Sequence, residues 1–415
     1  MYNSIRINFL NIEIIKQSQK NQIMKKHSFY LSLVVLLIYL VSCKSNPKNS
    51  ESRELFVPNP QNVEKQEIKT LDIGAKAPDF NLPDMNGKMV SLSDFSEARV
   101  LVVVFTCAHC PTAQAYEDRL IQFTADYKDK KVQVVAIMPN SSLALLPEEC
   151  GYTDYDDSFA NMKLRAKDKQ YNFPFLYDGD NEAVSLKYGP STTPHVFVFD
   201  EERKLQYNGN LDQNEKPGTG NSENLRAATD ALLAGKPVTN HVTKTFGCSI
   251  KWAWKQELAT KANKNWNENP VELKDIDISG IKKLLKNDSK KLRLINVWAT
   301  WCGPCVVEYP DLVELQRIYG GRDFEFISIS SDKMENKENV YSFLKKSHSA
   351  IQNYIYTEGD NYKLIEAIDP EWKGALPYTL LIEPQGKIVW KHQGEVDMTE
   401  LKKAIVNHPM IGRYF

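Results

Sequence analysis

Asn296-Val297-Trp298-Ala299-Thr300-Trp301-Cys302-Gly303-Pro304-Cys305 is the stretch on which the fold turns. The apolar run from Leu292 reads as a buried strand, and Cys305 to Ile318 reads as a helix. The two cysteines thus sit where a strand hands over to a helix. There, unpaired backbone N–H groups and the positive end of the macrodipole stabilise a thiolate. A second sulfur one turn on can close a disulfide. Pro304 costs no hydrogen bond at an early helical position, because that N–H is orphaned anyway. The same plan occurs earlier, where Val100–Thr106 leads into Cys107-Ala108-His109-Cys110 and a helical pattern through Asp126.

Working outward, each pair sits in a series of strands and helices. Around the first, Val132–Met138 is a strand and Asp157–Lys169 a helix. Val196–Phe199 with Leu205–Tyr207 is a hairpin, and Leu225–Leu233 closes the unit. Around the second, Ile281–Leu285 is a short helix, Phe324–Ser328 a strand and Val340–Lys346 a helix. Tyr378–Ile382 and Lys387–Trp390 form a hairpin, and Leu401–Val406 is the closing helix. Alternating strands and helices that end in a hairpin plus helix predict a small α/β sheet covered on both faces. The boundaries are 71–252 for the first unit, 253–270 for a linker and 271–415 for the second.

At 415 residues with a formal net charge of −1, the chain has no electrostatic case for nucleic acid. Lys25, Lys26 and His27 precede an apolar stretch, Phe29 to Val41, that is too short for a comfortable membrane span and fits a signal-peptide core. Residues 1–43 are read as that signal, with Met24 a candidate start. Residues 44–70, rich in Ser, Asn, Pro, Lys and Glu, are read as a flexible tether. Of seven cysteines, Cys43 follows Leu40-Val41-Ser42, and two pairs plus Cys150 and Cys248 remain. A Cys150–Cys248 bridge is permitted in an oxidising compartment but not required.

Leu-Val-Ser-Cys resembles a bacterial lipobox, which makes Cys43 the lipidated residue of a protein anchored in the cell envelope, facing the periplasm or exterior. The second unit resembles the TlpA/ResA-like thioredoxins on Asn296 to Cys305, Glu308, Pro310 and Leu376-Pro377-Tyr378-Thr379-Leu380-Leu381-Ile382. The first resembles peroxiredoxin-like redoxins of the AhpC/TSA type on Ala77-Pro78-Asp79-Phe80, Cys107 to Pro111, Phe173 to Leu176, Thr193 to Val196 and Gly247 to Trp252. In that branch the residue before Thr193-Pro194 is often cysteine, whereas here it is Thr192. The resemblance implies an α/β chain of two thioredoxin-fold domains in tandem, each a central mixed sheet flanked by helices.

It also implies a thiol–disulfide oxidoreductase exchanging disulfides with protein substrates. Cys107 and Cys302 would be nucleophiles, Cys110 and Cys305 resolvers, and Pro194 and Pro377 cis-prolines beside the sulfurs. Where many thioredoxins bury an acid, six residues before Cys302, stands Asn296, which is no base. Glu308 is the candidate proton acceptor for Cys305. His109 between the cysteines implies a higher reduction potential for the first pair, so electrons run from the second to the first. No Gly-x-Gly-x-x-Gly follows a strand, so no nicotinamide or flavin cofactor is expected, and electrons arrive from another dithiol protein in the membrane. Two other readings stand beside this one. One is a thiol peroxidase, although neither Cys107 nor Cys110 fits the frame Pro-x-x-x-Thr-x-x-Cys. The other is a Cu(I) chaperone using Cys107, Cys110 and either His109 or His195. A zinc site lacks further ligands at suitable spacing.

Overall fold

The computed structural model describes residues 56–413, and the signal segment, Cys43 and the first part of the tether lie outside the described residues. Two sheets organise the chain. In the first half, β1 (Asn81–Pro83) and β2 (Met89–Ser91) form a small antiparallel pair, followed by β3 (Val100–Phe105), α1 (Pro111–Tyr127), β4 (Val132–Met138), α2 (Phe159–Asp168), β5 (Phe175–Tyr177), α3 (Ala183–Tyr188), β6 (Thr192–Thr193), β7 (His195–Phe199), β8 (Leu205–Gly209), α4 (Glu223–Leu233) and β9 (Cys248–Ser249). The main sheet has the order β5-β4-β3-β7-β8, with β5, β4 and β3 parallel and the last two antiparallel.

The second half repeats this. It runs α5 (Gln256–Asn267), β10 (Lys274–Ile276), α6 (Ile278–Lys286), β11 (Leu292–Trp298), α7 (Gly303–Tyr319), β12 (Phe324–Ser330), α8 (Lys337–Lys346), β13 (Gln352–Tyr356), α9 (Asn361–Ile368), β14 (Tyr378–Ile382), β15 (Ile388–Gln393) and α10 (Met398–Asn407). Its sheet has the order β10-β13-β12-β11-β14-β15, and the central strand β11 feeds the cysteine-bearing helix as β3 does.

Both central strands are buried along their whole length because helices cover each face. Side chains alternate accordingly. Val102 and Val104 join the core under α1, while Leu101, Val103 and Phe105 join the core on the other face. In β11, Leu292, Leu294 and Trp298 face α7, and Ile295 and Val297 face away.

Two sequence expectations need correction. Residues 56–70 are no free tether. The Phe56 ring packs on Phe159 and Tyr177, the Gln61 amide donates to the Asp180 carbonyl at 2.7 Å, and Thr70 Oγ1 donates to the Gly189 carbonyl at 2.8 Å. One partly buried aromatic and backbone bonding outweigh a polar composition. Residues 253–270 are not a loose linker either, since they contain α5. Its Trp266 donates to the His348 carbonyl at 3.0 Å and lies under the Arg317 guanidinium.

The halves also interlock. Cys150 of the first half is buried in the core of the second, and Tyr319 Oη donates to the Thr153 carbonyl at 2.9 Å. Arg413 pairs with Asp154 at 2.8 Å and Lys403 with Asp168 at 2.7 Å. This placement excludes a Cys150–Cys248 bridge in this state: Cys150 belongs to the second core, Cys248 packs against the first, and both are free thiols.

Candidate active sites

In the second half the sequence pattern translates directly. Cys302 is the residue capping the start of α7, and its sulfur accepts the Cys305 N–H at 3.3 Å. Cys302 and Cys305 are joined as a disulfide. Trp301, next to the disulfide, is 68% exposed, and Val307 further along the helix is also exposed. The Leu376–Pro377 peptide is cis. Asp332, just beyond β12, braces the loop ahead of Cys302. It accepts from the Thr300 amide at 2.8 Å and from Thr300 Oγ1 at 2.6 Å, and Asn336 Nδ2 donates to it at 2.7 Å.

Glu308 lies one turn after Cys305 and is buried. One carboxylate oxygen accepts the Val396 N–H at 2.9 Å, and the other is 3.4 Å from Asn296 Nδ2. Burial pushes its pKa up to about 7, against which these hydrogen bonds pull only partly. Asn296 also donates to Thr379 Oγ1 at 3.0 Å. The acid absent from the strand is thus supplied by the helix, and the strand asparagine holds it.

The first half differs in register. Its helix α1 begins at Pro111, so the capping residue is Cys110, the second cysteine of the pair. Cys110 Sγ accepts the Ala113 N–H at 3.5 Å and the Cys248 N–H at 3.3 Å, and donates to the Thr193 carbonyl at 3.3 Å when protonated. Cys107 Sγ lies one step back in the loop, 3.1 Å from Thr193 Oγ1 and 3.5 Å from His109 Nδ1. Both sulfurs are buried free thiols, and the Thr193–Pro194 peptide is cis.

Asp157, just before α2, organises this loop. It accepts from the Ala108 amide at 2.9 Å, the His109 amide at 3.0 Å and Asn140 Nδ2 at 2.6 Å, and pairs with His109 Nδ1 at 2.6 Å. Burial opposes both charges. The pair overrides it, raising the His109 pKa and lowering that of Asp157. Burial likewise works against a thiolate at Cys110. The Cys107 and Cys248 thiols, the His109 imidazolium and the Ala113 N–H outweigh it and hold Cys110 well below the usual thiol range. Cys107 goes the other way, pushed up first by burial and then by its place beside Cys110 and Asp157. Both shifts favour a negative charge on Cys110 over one on Cys107.

Cys107, His109 and Asp157 each offer one ligand atom within 4.8 Å of the others. His195 is not among them. It lies on β7 opposite Phe105, on the sheet face away from α1, with its ring 4.5 Å from that of Phe197 and its Nδ1 accepting the Ser191 N–H at 3.1 Å. The Cys107/Cys110/His195 copper set is therefore not assembled.

The Redoxin family profile matches residues 72–227 and 270–405. The chain belongs to the Redoxin family. It is similar to the thiol-disulfide oxidoreductase ResA of Bacillus cereus, with 31% identity over 133 residues that cover 30% of this chain and 68% of the relative. ResA of Bacillus subtilis is 27% identical over 123 residues, covering 30% and 58%. Among solved structures, an uncharacterized conserved protein of Geobacillus kaustophilus is 36% identical, covers 45% of this chain and 95% of its own, and superposes with a TM-score of 0.40. This Redoxin protein is a thioredoxin-like thiol–disulfide oxidoreductase.

Each Redoxin span holds one cysteine pair at a strand-to-helix junction. The residues missed in the sequence are the bracing aspartates. Asp332 follows the strand that pairs with β11, as Asp157 follows the one that pairs with β3. Asp157 stands among Asp154 and Asp156, and no local pattern singles it out.

Proposed function

We propose that this protein is an exported, lipid-anchored oxidoreductase that exchanges disulfides with protein substrates through two cysteine pairs. The observation that carries the reading is the paired geometry at the helix entrances. Cys110 and Cys302 each cap a helix and each accept a backbone N–H three residues on. A sulfur so placed is stabilised as a thiolate, which is both the attacking and the leaving form in exchange.

In the second pair Cys302 attacks, Cys305 resolves and Glu308 takes the Cys305 proton. Pro194 and Pro377 hold their loops beside the sulfurs, and exposed Trp301 offers an apolar contact to a client. The first pair is the more oxidising. Charge on Cys110 is stabilised by several donors, which favours the reduced form and raises the potential. Electrons thus pass from a membrane-embedded dithiol donor to Cys302–Cys305 and on to the first pair, with Cys43 tethering the protein at the membrane surface of the cell envelope.

The test uses the full chain with one pair silenced at a time, by Cys302→Ser with Cys305→Ser or by Cys107→Ser with Cys110→Ser. Each protein is equilibrated in glutathione buffers and its remaining pair titrated. A higher potential for the first pair supports the assignment; equal or reversed potentials overturn the direction of flow. Failure of both proteins to reduce any test disulfide overturns the exchange function itself.

A further inference from the structure

In the second half the backbone before the cis-proline has no strand partner among the described residues. In the first half the corresponding backbone is already occupied. Strand β9 of the same chain lies antiparallel on β6, with Cys248 opposite Thr193 and Ser249 opposite Thr192. An extended substrate held by a sheet edge binds in this manner, its backbone paired and its side chains directed to neighbouring pockets. The chain thus places a cysteine of its own where a substrate cysteine would be presented. Its N–H reaches Cys110 Sγ at 3.3 Å, and its thiol is among the groups acting on that sulfur. Gly247 makes the approach feasible: at φ +137° it brings β9 so near that a Cβ would collide with the Thr193 carbonyl.

Accessibility points the same way. Cys107 and Cys110 are both buried, so neither meets a protein substrate directly in this state. Cys248 is only partly buried and lines an open groove together with Pro111, Thr112, Glu149 and Lys251.

We infer that Cys248 is a third redox cysteine of the first site, forming a disulfide with Cys110 and serving as the sulfur at which protein thiols exchange. The inference rests on the first pair being redox-active. In the oxidised site a substrate thiolate attacks Cys248 Sγ. A mixed disulfide forms between them, the Cys110–Cys248 bond breaks and Cys110 leaves as a thiolate. A second substrate thiol, deprotonated, attacks the substrate sulfur of the mixed disulfide. The substrate becomes a disulfide and Cys248 a thiol, so two electrons have passed from a dithiol client to the site; run in reverse, the same steps carry electrons received from Cys302–Cys305 out to a client disulfide. Internal exchange, in which Cys107 attacks Cys110 Sγ and releases Cys248, moves the disulfide inward to Cys107–Cys110 without net oxidation. Low basicity at Cys110 favours its departure in the first step.

The test compares full-length wild type with Cys107→Ser. Both are oxidised by glutathione disulfide, digested without reduction and mapped by mass spectrometry. A Cys110–Cys248 linkage in Cys107→Ser, with four fewer titratable thiols than its reduced form (two from this linkage and two from Cys302–Cys305), is the expected result. Cys110 and Cys248 both unlinked overturn the inference, while a Cys107–Cys110 linkage in wild type in the same run leaves the exchange function standing. In a Cys302→Ser, Cys305→Ser background, Cys248→Ser and Cys248→Ala should each slow reduction of the oxidised first site by dithiothreitol about tenfold or more. An unchanged rate in folded protein overturns the role.

Discussion

The two helix entrances share one spacing and differ by three residues in register. In the second half the first cysteine caps the helix, and in the first half the second one does. The local physics is the same in both, a sulfur facing the unpaired N–H groups of a helical first turn. What differs is the rest of the loop. Cys302-Gly303-Pro304-Cys305 places both sulfurs on the first turn. In the other site Pro111 starts the helix and Cys107-Ala108-His109 remain in a loop pinned by Asp157. Cysteine spacing alone therefore does not say which sulfur caps the helix. The position of the first helical residue does.

The largest effect expected from this comparison is an asymmetry between first cysteines. Cys302→Ser removes the capping sulfur, and exchange through the second pair should fall by more than about 10³-fold. Cys107→Ser leaves the capping thiolate of Cys110 in place. Reactivity of Cys110 with a small disulfide such as glutathione disulfide should persist there and vanish in Cys110→Ser. Stopped-flow thiol assays on proteins with the other pair silenced measure both. Equal loss on Cys107→Ser and Cys110→Ser would break the comparison.

The next effect concerns the bracing aspartates. Asp157→Asn leaves buried His109 without its counter-charge and should cost about 3 kcal/mol in chemical denaturation. The pH dependence has two sides. Because the His109 pKa is raised, its contribution is complete below its ordinary value and is lost as pH rises through the raised one. Asp157, with a lowered pKa, contributes above its ordinary value and loses that contribution as pH falls through the lowered one. Both dependences should disappear in Asp157→Asn.

Much of this was legible in the sequence and some was not, for physical reasons. The strands β3 and β11 are continuous apolar runs, and a fully buried strand has no other way to look. Asn296 shares the even-numbered face of β11 with Leu292, Leu294 and Trp298, so its meeting with a residue of α7 follows from period-two alternation. The start of α1 was harder. Pro304 reads as an early helical residue, and the same signal at Pro111, the first residue of α1, places the cap at Cys110. Strand β9 is two residues long, and its pairing with β6 joins positions more than fifty residues apart, which no local pattern encodes. The sequence of helix α5 reads as linker because polar residues dominate it, while Trp266 carries its attachment to the second core.

A third effect separates the two proton economies. Glu308 has no counterpart in the first half: the position at the same distance from the capping cysteine is Tyr116, and its pKa is raised, chiefly by burial. Glu308→Gln should lower the rate of mixed-disulfide resolution at the second pair by about a hundredfold. It should also remove a rate inflection near the Glu308 pKa of about 7, the rate in wild type rising with pH as the carboxylate forms. Stability should move oppositely. The folded state holds this proton more tightly than the unfolded state, so wild type loses stability as pH rises from 4.5 to about 7. Glu308→Gln should therefore be more stable than wild type at pH 8, by up to about 3 kcal/mol.

The smallest effect tests whether the two sites are mechanically joined. Helix α7 carries Cys302 at one end and Tyr319 at the other, and Tyr319 Oη donates to the Thr153 carbonyl. Thr153 Oγ1 in turn accepts from Gln114 Nε2 at 2.8 Å, and Gln114 Nε2 donates to the Ala108 carbonyl inside the first cysteine loop at 2.7 Å. A chain of hydrogen bonds thus runs from the C-terminal turn of one redox helix to the loop of the other site. Tyr319→Phe removes one link while keeping the ring packed against Phe324. It should cost about 1 kcal/mol of global stability. Amide hydrogen exchange should rise at Ala108 and His109 if the chain transmits order. If exchange rises only around Thr153, the halves share an interface but not a coupled site, and the register difference between the two helix entrances then acts within each half alone.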